Sequence, residues 1–208
     1  MTTRAPRRDA VENRAGILAA ARAALALDPH ASIDAIARSA GLSRRTLYGH
    51  FDDREALIRE LVSSGAQRFN AIAASVDDAD PRVALARLAS LLWREAVHVQ
   101  VAAALALDEA HVTHTAAALS PLRDTLAALV RSGQDAGSFR TDLSGPTLAR
   151  LIEEIARTVV SRTEAADPAT GDLAVRAVLS IAGLSWREVD ELLSDHPELA
   201  ATGQEVRA

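Results

Sequence analysis

Residues 44–51 carry side chains whose hydrogen-bonding chemistry suits nucleic acid, and their sequence is RRTLYGHF. An arginine can donate a bidentate pair to O6 and N7 of guanine, and a threonine methyl can touch the methyl group of thymine. A tyrosine hydroxyl or a histidine ring can donate to a phosphate oxygen. In a helix, Leu47 and Phe51 would share one face at i, i+4 spacing, which leaves the polar side chains on the other faces. This division favours a helix that rests on a core and reads a DNA groove.

The residues just before this segment predict the element that would position it. Ser32 can cap a short helix, and Gly41 follows where a helix end needs a left-handed residue. The apolar positions of that short helix are Ile33, Ile36 and Ala37. Ser43 can accept from the backbone amide of Thr46 and so cap the next helix, which we expect to extend to about Phe51. Two helices joined by a short glycine-containing turn form the helix-turn-helix unit, whose second helix enters the major groove.

Two longer helices are predicted on either side of this unit. Apolar residues recur at helical spacing from Val11, and the pattern stops at residues 28–29, which are Asp-Pro. After the unit, Asp52 or Asp53 can cap a fourth helix whose apolar pattern reaches about Ser75. The sequence therefore predicts a three-helix domain over residues 1–53 and a linking helix over residues 53–75.

The composition excludes several classes of enzyme and indicates an all-α fold. The 208 residues include no cysteine, which removes disulfides, thiolate metal sites and cysteine nucleophiles. All 23 basic residues are arginine, so no lysine is available for a phosphate loop or a Schiff base. Alanine contributes 45 residues and the aromatics only six, a balance typical of helices rather than strands. We expect no enzymatic activity and no cofactor.

No segment of the sequence is long and apolar enough to predict a membrane span. The longest charge-free run, residues 110–122, has 13 residues, whereas a bilayer requires about 20. No signal peptide is predicted either, because Arg14 and Arg22 interrupt the apolar stretch that should follow the basic N-terminus. These features predict a cytoplasmic protein.

The charge is distributed unevenly along the chain. Residues 1–50 hold eight arginines against four acidic residues, a net charge of +4, so the rest of the chain carries −9 of the total of −5. A small basic module joined to a larger acidic one suggests that the first fifty residues face a polyanion. Chance clustering on solvated helix faces is the alternative reading.

Residues 76–208 are predicted to form a second, larger helical domain. An acidic stretch at residues 77–80 ends at Pro81, where a helix can begin with Asp80 as its cap. Ser120 and Pro121 repeat this signature, although Pro121 could equally kink a helix that begins near Thr113. Further on, Ser185 and Glu188 have the spacing of a capping box, which predicts a last short helix.

Two helices near the end of the chain are unusually apolar. One, at about residues 146–163, carries a broad apolar stripe, and the other, at residues 172–184, is apolar nearly all round. A helix of the second kind must be covered on most of its faces. Burial in the core is one explanation, and an interface between subunits is the other.

A group of aromatic and histidine residues in the second domain suggests a binding pocket. These candidates are Trp93, His98, His111 and His114. His111 and His114 stand at i, i+3 spacing and are metal-compatible, but no established metal motif accompanies them, so we predict no metal site. Residues 108–111 spell the acidic box of some helicases, and the missing phosphate loop makes this a coincidence. The scarcity of aromatic residues favours an aliphatic pocket over one that stacks planar cations.

Residues 32–62 closely resemble the tetracycline-repressor (TetR) family of bacterial transcription regulators. The core of the resemblance is GLSRRTLYGHF, which meets the family pattern at seven positions: Gly41, Leu42, Ser43, Leu47, Tyr48, His50 and Phe51. The match continues through residues 55–57, except that Arg54 stands where the family usually has lysine. Both residues are cationic, although their hydrogen-bonding geometries differ.

The resemblance implies an all-α dimer in which the N-terminal helices bind a palindromic operator and the C-terminal helices enclose a small-molecule pocket. The two apolar helices would then form the dimer interface. Residues implied for base edges are Arg44, Arg45 and Thr46. Residues implied for phosphate contacts are Ser32, Ser43, Tyr48, His50 and Arg54. The N-terminal arginines Arg4, Arg7 and Arg8 form an arm that either reaches the DNA or stays solvated.

The sequence thus favours a DNA-binding transcriptional regulator, most simply a repressor that releases double-stranded DNA when a small molecule binds. An activator is one alternative. Another is an all-helical ligand-binding protein or enzyme whose helix-turn-helix no longer binds DNA, although no set of nucleophile, base and orienting residue supports an enzyme.

Overall fold

The computed structural model describes residues 5–28, 30–39, 41–98, 111–162 and 169–200. Every regular element in these ranges is helical, which confirms the predicted all-α fold. The helices are α1 (Ala5–Leu27), α2 (Ile33–Ser39), α3 (Arg44–Tyr48), α4 (Arg54–Ser75), α5 (Pro81–His98), α6 (Val112–Ala118), α7 (Ser120–Asp135), α8 (Gly145–Arg162), α9 (Ala169–Ala182) and α10 (Trp186–Asp195), followed by a 3-10 turn (Pro197–Leu199). None of the helices described has the length and apolar character needed to cross a membrane. The alanine-rich segment at residues 99–107 lies outside the described ranges.

The described residues divide into two compact units, each with its own core. The first contains residues 5–66 and 111–117, and the second contains residues 67–98 and 118–200. Helix α4 contributes its first part to one unit and its last part to the other.

The first unit holds α2 and α3 on a small apolar core, as the hydrophobic spacing predicts. Its fully buried side chains include Ile17, Leu25, Ile36, Leu47, Leu57 and Ile58. The predicted caps are present, because Ser32 Oγ accepts from the Ala35 amide at 3.2 Å and Asp53 Oδ1 from the Ala56 amide at 2.6 Å. Gly41 has a φ of +65°, the left-handed conformation expected at the turn.

Helix α3 is shorter than the sequence predicts. It ends at Tyr48 rather than at about Phe51. The amides of His50 and Phe51 both donate to the carbonyl oxygen of Leu47, at 3.0 and 2.9 Å, so the chain turns after a little more than one helical turn. Phe51 is 3% exposed and packs into the core from this turn, which fixes the end of the helix.

The core of the second unit is built around the packing of α5 against α9. Helix α9 packs against both α5 and α8, and α8 packs against α7. Val175, Val178 and Leu179 are buried, as expected for the most apolar helix. This helix ends at Ala182 rather than at residue 184, because Gly183 has a φ of +113°. The predicted helix starts at Pro81, capped by Asp80, and at Trp186, with the Ser185–Glu188 capping box, are both confirmed.

The junction between α6 and α7 differs from the predicted serine cap. Ser120 is already helical, and the preceding Leu119 provides no side-chain cap. Instead, Asn70 of α4 accepts from the Leu122 amide at 3.1 Å and donates to the Ala118 carbonyl oxygen at 2.9 Å. One amide side chain therefore satisfies the end of α6 and the start of α7, a role that the local sequence assigns to Ser120.

A tight connection joins α7 to α8. The amides of Ser138 and Phe139 both donate to the Gly133 carbonyl oxygen, at 2.8 and 3.0 Å, and Gly137 between them and α7 has a φ of +68°. The ring of Phe139 covers Gly133 so closely that a β-carbon there would stand 2.0 Å from Cδ2 of the ring. The Arg140 amide donates to the Ala182 carbonyl oxygen at 2.9 Å, which ties the connection to α9.

Candidate DNA-binding surface

Helix α3 presents a polar surface to solvent on a buried apolar base. Leu47 is fully buried, whereas Arg44, Arg45 and Thr46 are exposed, and Tyr48 is 45% exposed. Leu47 and Phe51 are expected to share one helical face, but only Leu47 lies in the helix, and Phe51 belongs to the turn that follows. The exposed residues offer donors of the kind that DNA bases and phosphates accept.

The serine hydroxyls near α3 hold the backbone in place. Ser43 Oγ accepts from the Thr46 amide at 3.0 Å and lies 2.8 Å from Thr46 Oγ1. Ser32 Oγ caps α2 in the same manner. Because each serine oxygen accepts at its cap, the proton of Ser32 can still be donated to a phosphate oxygen, and so can that of Ser43 when Thr46 is the donor between their two hydroxyls.

Two adjacent arginines of α3 have different surroundings. Arg44 donates from Nε and Nη2 to the two carboxylate oxygens of Asp34 on α2. Arg45 is exposed and has no side-chain partner among the described residues. A bidentate carboxylate contact restricts the orientation of a guanidinium, so Arg44 is held while Arg45 can adapt.

Arg54 contacts the backbone of its own unit. Its Nε donates to the carbonyl oxygen of Ala31, in the connection before α2, at 3.0 Å. The sequence implies a phosphate contact for this residue, and the structure adds a second role, because the same guanidinium links α4 to the start of the helix-turn-helix.

Arg14 is a residue that the sequence analysis did not select. Its Nη1 donates to the His50 carbonyl oxygen at 3.1 Å, its Cζ lies 4.6 Å from the centre of the Phe51 ring, and its Nε is 3.3 Å from Glu60 Oε1. These contacts hold the turn after α3 between α1 and α4. No local motif signals this role, because the contacts join residues 36 or more positions apart.

The four candidates for a ligand pocket are distributed over both units. Trp93, at 6% exposure, lies in the core of the second unit, and the side chain of His98 lies outside the described residues. In the first unit, His111 is 4% exposed with Nδ1 at 3.1 Å from Glu55 Oε1. His114 Nε2 is 2.9 Å from Ser63 Oγ.

Two further features of the sequence are the possible metal ligands and the N-terminal arginine arm. Within the described residues, no group of three or more histidine, aspartate and glutamate side chains could hold a metal ion. Arg4 and the side chains of Arg7 and Arg8 lie outside the described residues.

Comparison with known proteins finds a family match over the residues that form this surface. Residues 17–61 match the family model described as bacterial regulatory proteins, tetR family. The matched range contains α2, α3 and the residues that pack beneath them. A search of curated proteins finds no match.

Solved structures of similar fold cover most of the chain. The TetR-family regulator PfmR from Thermus thermophilus has a TM-score of 0.71 and 21% identity over 81% of this chain and 98% of its own. The fatty acid degradation regulator FadR from Bacillus halodurans has a TM-score of 0.69 and 18% identity, covering 88% and 98%. FadR from Bacillus subtilis, solved with stearoyl-CoA, has a TM-score of 0.67 and 16% identity, covering 81% and 97%. The shared architecture extends well beyond the N-terminal domain.

Proposed function

We propose that this chain, which has the fold and the N-terminal domain of TetR-family transcriptional regulators, is a repressor that binds a palindromic operator as a dimer. A small molecule bound by the second unit would favour a conformation in which the two α3 helices no longer fit successive major grooves. Such a ligand acts only through its different affinities for the two conformations, and a coupling of about 1–3 kcal/mol is sufficient for regulation. A protein with this role acts in the cytoplasm, where bacterial DNA lies.

The observation that carries the proposal is the polar surface of α3 on a rigid support. Caps from Ser43 and Asp53, the glycine turn at Gly41 and the contacts of Arg14 hold a short helix on the core of the first unit. The exposed side chains on that helix are the donor types that read bases and contact phosphates. We assign base contacts to Arg44, Arg45 and Thr46, and phosphate contacts to Ser32, Ser43, Tyr48, His50 and Arg54.

The direct test is selection of bound duplexes from a random DNA pool by the purified protein at two salt concentrations. We expect enrichment of one palindrome, since a dimer with two-fold symmetry selects a two-fold symmetric site. The Arg45→Ala variant should bind that site about five- to 150-fold more weakly, because a bidentate arginine contact contributes about 1–3 kcal/mol of base discrimination. Arg131→Ala provides the control, since Arg131 is exposed on α7 of the second unit.

Two outcomes would contradict this proposal. One is a pool without enrichment at either salt concentration, with binding that hardly depends on salt. The other is an equal loss of affinity in the Arg45→Ala and Arg131→Ala variants, which would mean that α3 makes no special contribution.

Dimerisation is assigned to the two apolar helices, α8 and α9, which correspond to the predicted interface at residues 146–163 and 172–184. Leu151 of α8 and Leu173 of α9 are 42% and 47% exposed, whereas the other described leucine, isoleucine and valine side chains of these helices are buried or half-buried. Large exposed apolar side chains on two neighbouring helices are a feature of subunit interfaces.

We propose an effector with an aliphatic chain. The core of the second unit is built mainly from leucine, valine and alanine, and Trp93 is one of its few aromatic residues. The buried Ser90 hydroxyl, also on α5, has no hydrogen-bond partner among the residues that the structure describes and can accept or donate to a ligand. Stearoyl-CoA, present in the structure of Bacillus subtilis FadR, is a suitable first probe.

The effector proposal is tested on the selected operator. Stearoyl-CoA should release the protein from DNA, and coenzyme A without its acyl chain should not, if the aliphatic chain supplies the affinity. Release by a planar aromatic cation, with no effect of the acyl compound, would overturn this assignment. Stronger DNA binding in the presence of the acyl compound would mean that the ligand acts as a co-repressor.

A further inference from the structure

Asp34 and Arg44 join the two helices of the helix-turn-helix through a bidentate ion pair. Arg44 Nε donates to Asp34 Oδ1 at 2.5 Å, and Arg44 Nη2 donates to Oδ2. The aspartate side chain is 24% exposed, whereas the arginine side chain is 70% exposed. The pair therefore fixes one edge of the guanidinium against α2 and leaves most of the group in solvent.

The hydrogens that Asp34 does not use are those suited to guanine. A guanidinium carries five N–H donors in one plane. Asp34 takes the Nε hydrogen and one Nη2 hydrogen, so both Nη1 hydrogens and the second Nη2 hydrogen remain. The Nη1 and Nη2 pair at this end of the group has the parallel geometry that matches O6 and N7 of guanine. The carboxylate can thus hold Arg44 without occupying its base-reading edge.

The carboxylate also changes the charge that Arg44 offers to DNA. A free arginine gains affinity from any phosphate, irrespective of sequence, because it neutralises backbone charge. Arg44 is already paired with a negative group, so its gain from a phosphate is smaller. Its gain from the two acceptors of a guanine depends on orientation, which Asp34 supplies. The pair therefore favours base reading over sequence-independent binding.

From this geometry we infer that Asp34 is a positioning residue for base readout, which presents the outer edge of Arg44 to a guanine in the operator half-site. The inference rests on the proposed DNA-binding function. It assigns the adjacent arginines different tasks, since Arg45 has no such restraint among the described residues and keeps its rotamer freedom until it binds.

The experiment begins with the selected palindrome. Each guanine of the half-site is replaced in turn, and the guanine whose replacement no longer weakens binding by the Arg44→Ala variant is the one that Arg44 reads. Asp34→Asn is then compared with the wild-type protein on the guanine operator, on its substituted form and on unrelated duplex DNA. Circular dichroism checks that each variant is folded.

We expect Asp34→Asn to lose about fivefold or more of the discrimination at that guanine, the magnitude of one good bidentate contact. Its affinity for unrelated DNA should rise severalfold, with a steeper salt dependence, because a negative charge has been removed beside the phosphates. Asp34→Glu keeps the charge but moves the carboxylate. It should lose discrimination at the guanine without a rise in affinity for unrelated DNA. This variant also tests the inference if Asp34→Asn does not fold.

Asp52→Asn is the matched control, because it removes the same charge from an exposed residue just after α3 that has no side-chain partner among the described residues. It should raise binding to unrelated DNA and leave the base discrimination unchanged. If Asp34→Asn strengthens binding to the guanine operator and to its substituted form equally, the positioning role is wrong. The same holds if no guanine depends on Arg44. A pool that yields no operator at all would instead contradict the proposed function.

Discussion

At the scale of single residues, Arg54 combines a contact within the fold with a proposed contact to DNA. The sequence places it where a phosphate-binding cation is expected, and its Nε also donates to the Ala31 carbonyl oxygen. Its long side chain connects positions 23 residues apart. Local spacing predicts caps such as Ser43 well, because a cap and its amide are three residues apart, but it does not predict contacts of this length.

The replacement Arg54→Met keeps the aliphatic stem and removes the donors. We expect the free energy of unfolding to fall by about 1 kcal/mol, the usual contribution of one hydrogen bond. Chemical denaturation measures this, and Arg59→Met, at an exposed position of the same helix, should stay within about 0.5 kcal/mol of the wild-type value. Equal effects of the two variants would argue against a structural role for the contact with Ala31.

The carboxyl group of Glu153 makes the stability of the second unit depend on pH. Burial tends to raise the pKa of its carboxyl group, but hydrogen bonds and charge from Arg123, with a further contribution from Arg157, outweigh this and hold the pKa below its usual value. The contacts are close, with Arg123 Nη2 at 2.7 Å and Arg157 Nη2 at 2.9 Å from Glu153 Oε1.

We expect Glu153→Gln to lower the free energy of unfolding by about 1–2 kcal/mol at pH 7, since hydrogen bonds to a charged group are lost. A lowered folded-state pKa stabilises the protein above the unfolded-state value of about 4.5, and this contribution disappears as the pH falls through the folded-state pKa. The difference between wild type and variant should therefore narrow below about pH 4.5 in urea titrations. Glu154→Gln, at a more exposed position, should show little effect at any pH.

At the scale of helices, the sequence predicts where most helices begin, because proline and capping residues act locally. Pro81, Ser185 and Ser43 mark starts that the structure confirms. The start of α7 is different, since Asn70 on another helix supplies the hydrogen bonds expected from Ser120. A cap from a distant element leaves no signature in the neighbouring residues, and this is the physical reason for the error.

Asn70→Leu should destabilise the second unit by about 1–3 kcal/mol, because it leaves an amide and a carbonyl group without their partner. Ser120→Ala should change stability by less than about 0.5 kcal/mol, since Ser120 is not the cap. Thermal unfolding of both variants measures the difference. A larger loss of stability for Ser120→Ala than for Asn70→Leu would instead support Ser120 as the cap, as the sequence predicts.

Gly133→Ala places a methyl group against the buried Phe139 ring, and we expect a loss of about 1–3 kcal/mol from overpacking. The same substitution at Gly16, an exposed position within α1 with open space around it, should stabilise the protein by about 0.5–1 kcal/mol. The two changes are compared by chemical denaturation. A combined Gly133→Ala and Phe139→Leu variant should recover part of the loss, and no recovery would mean that the ring is not the obstacle.

At the scale of the whole molecule, apolar patterning predicts an all-α chain, and the structure confirms it. The pattern cannot decide between core and interface for α8 and α9, because both require apolar side chains. Exposure separates the residues within each helix: Leu148 is fully buried, whereas Leu151, three residues on, is 42% exposed. The orientation of the Arg44 side chain on α3 likewise depends on its contact with Asp34, which joins two helices and follows from no local spacing.

Charged substitutions test the proposed dimer. Leu151→Glu and Leu173→Glu should each raise the dissociation constant of the dimer at least about tenfold, because a buried apolar contact is replaced by a charge. Sedimentation velocity over a range of protein concentrations distinguishes monomer from dimer by mass and so measures the dissociation constant. Leu27→Glu is the control, since Leu27 is 89% exposed at the end of α1 and should leave the dimer intact. Unchanged mass in all three variants would place the interface elsewhere.

The hydrogen bonds of the connection between α7 and α8 determine how quickly its backbone amides exchange with solvent. Backbone amides in surface connections ordinarily exchange with deuterium quickly, because small local openings are enough. Those of Phe139 and Arg140 are bonded to the carbonyl oxygens of Gly133 and Ala182, and the Phe139 ring is buried. Exchange at Arg140 therefore requires the connection to separate from α9, and exchange at Phe139 requires its buried ring to leave Gly133. Mass spectrometry should thus find this connection as slow to label as the helices it joins. It can report the global opening of the second unit.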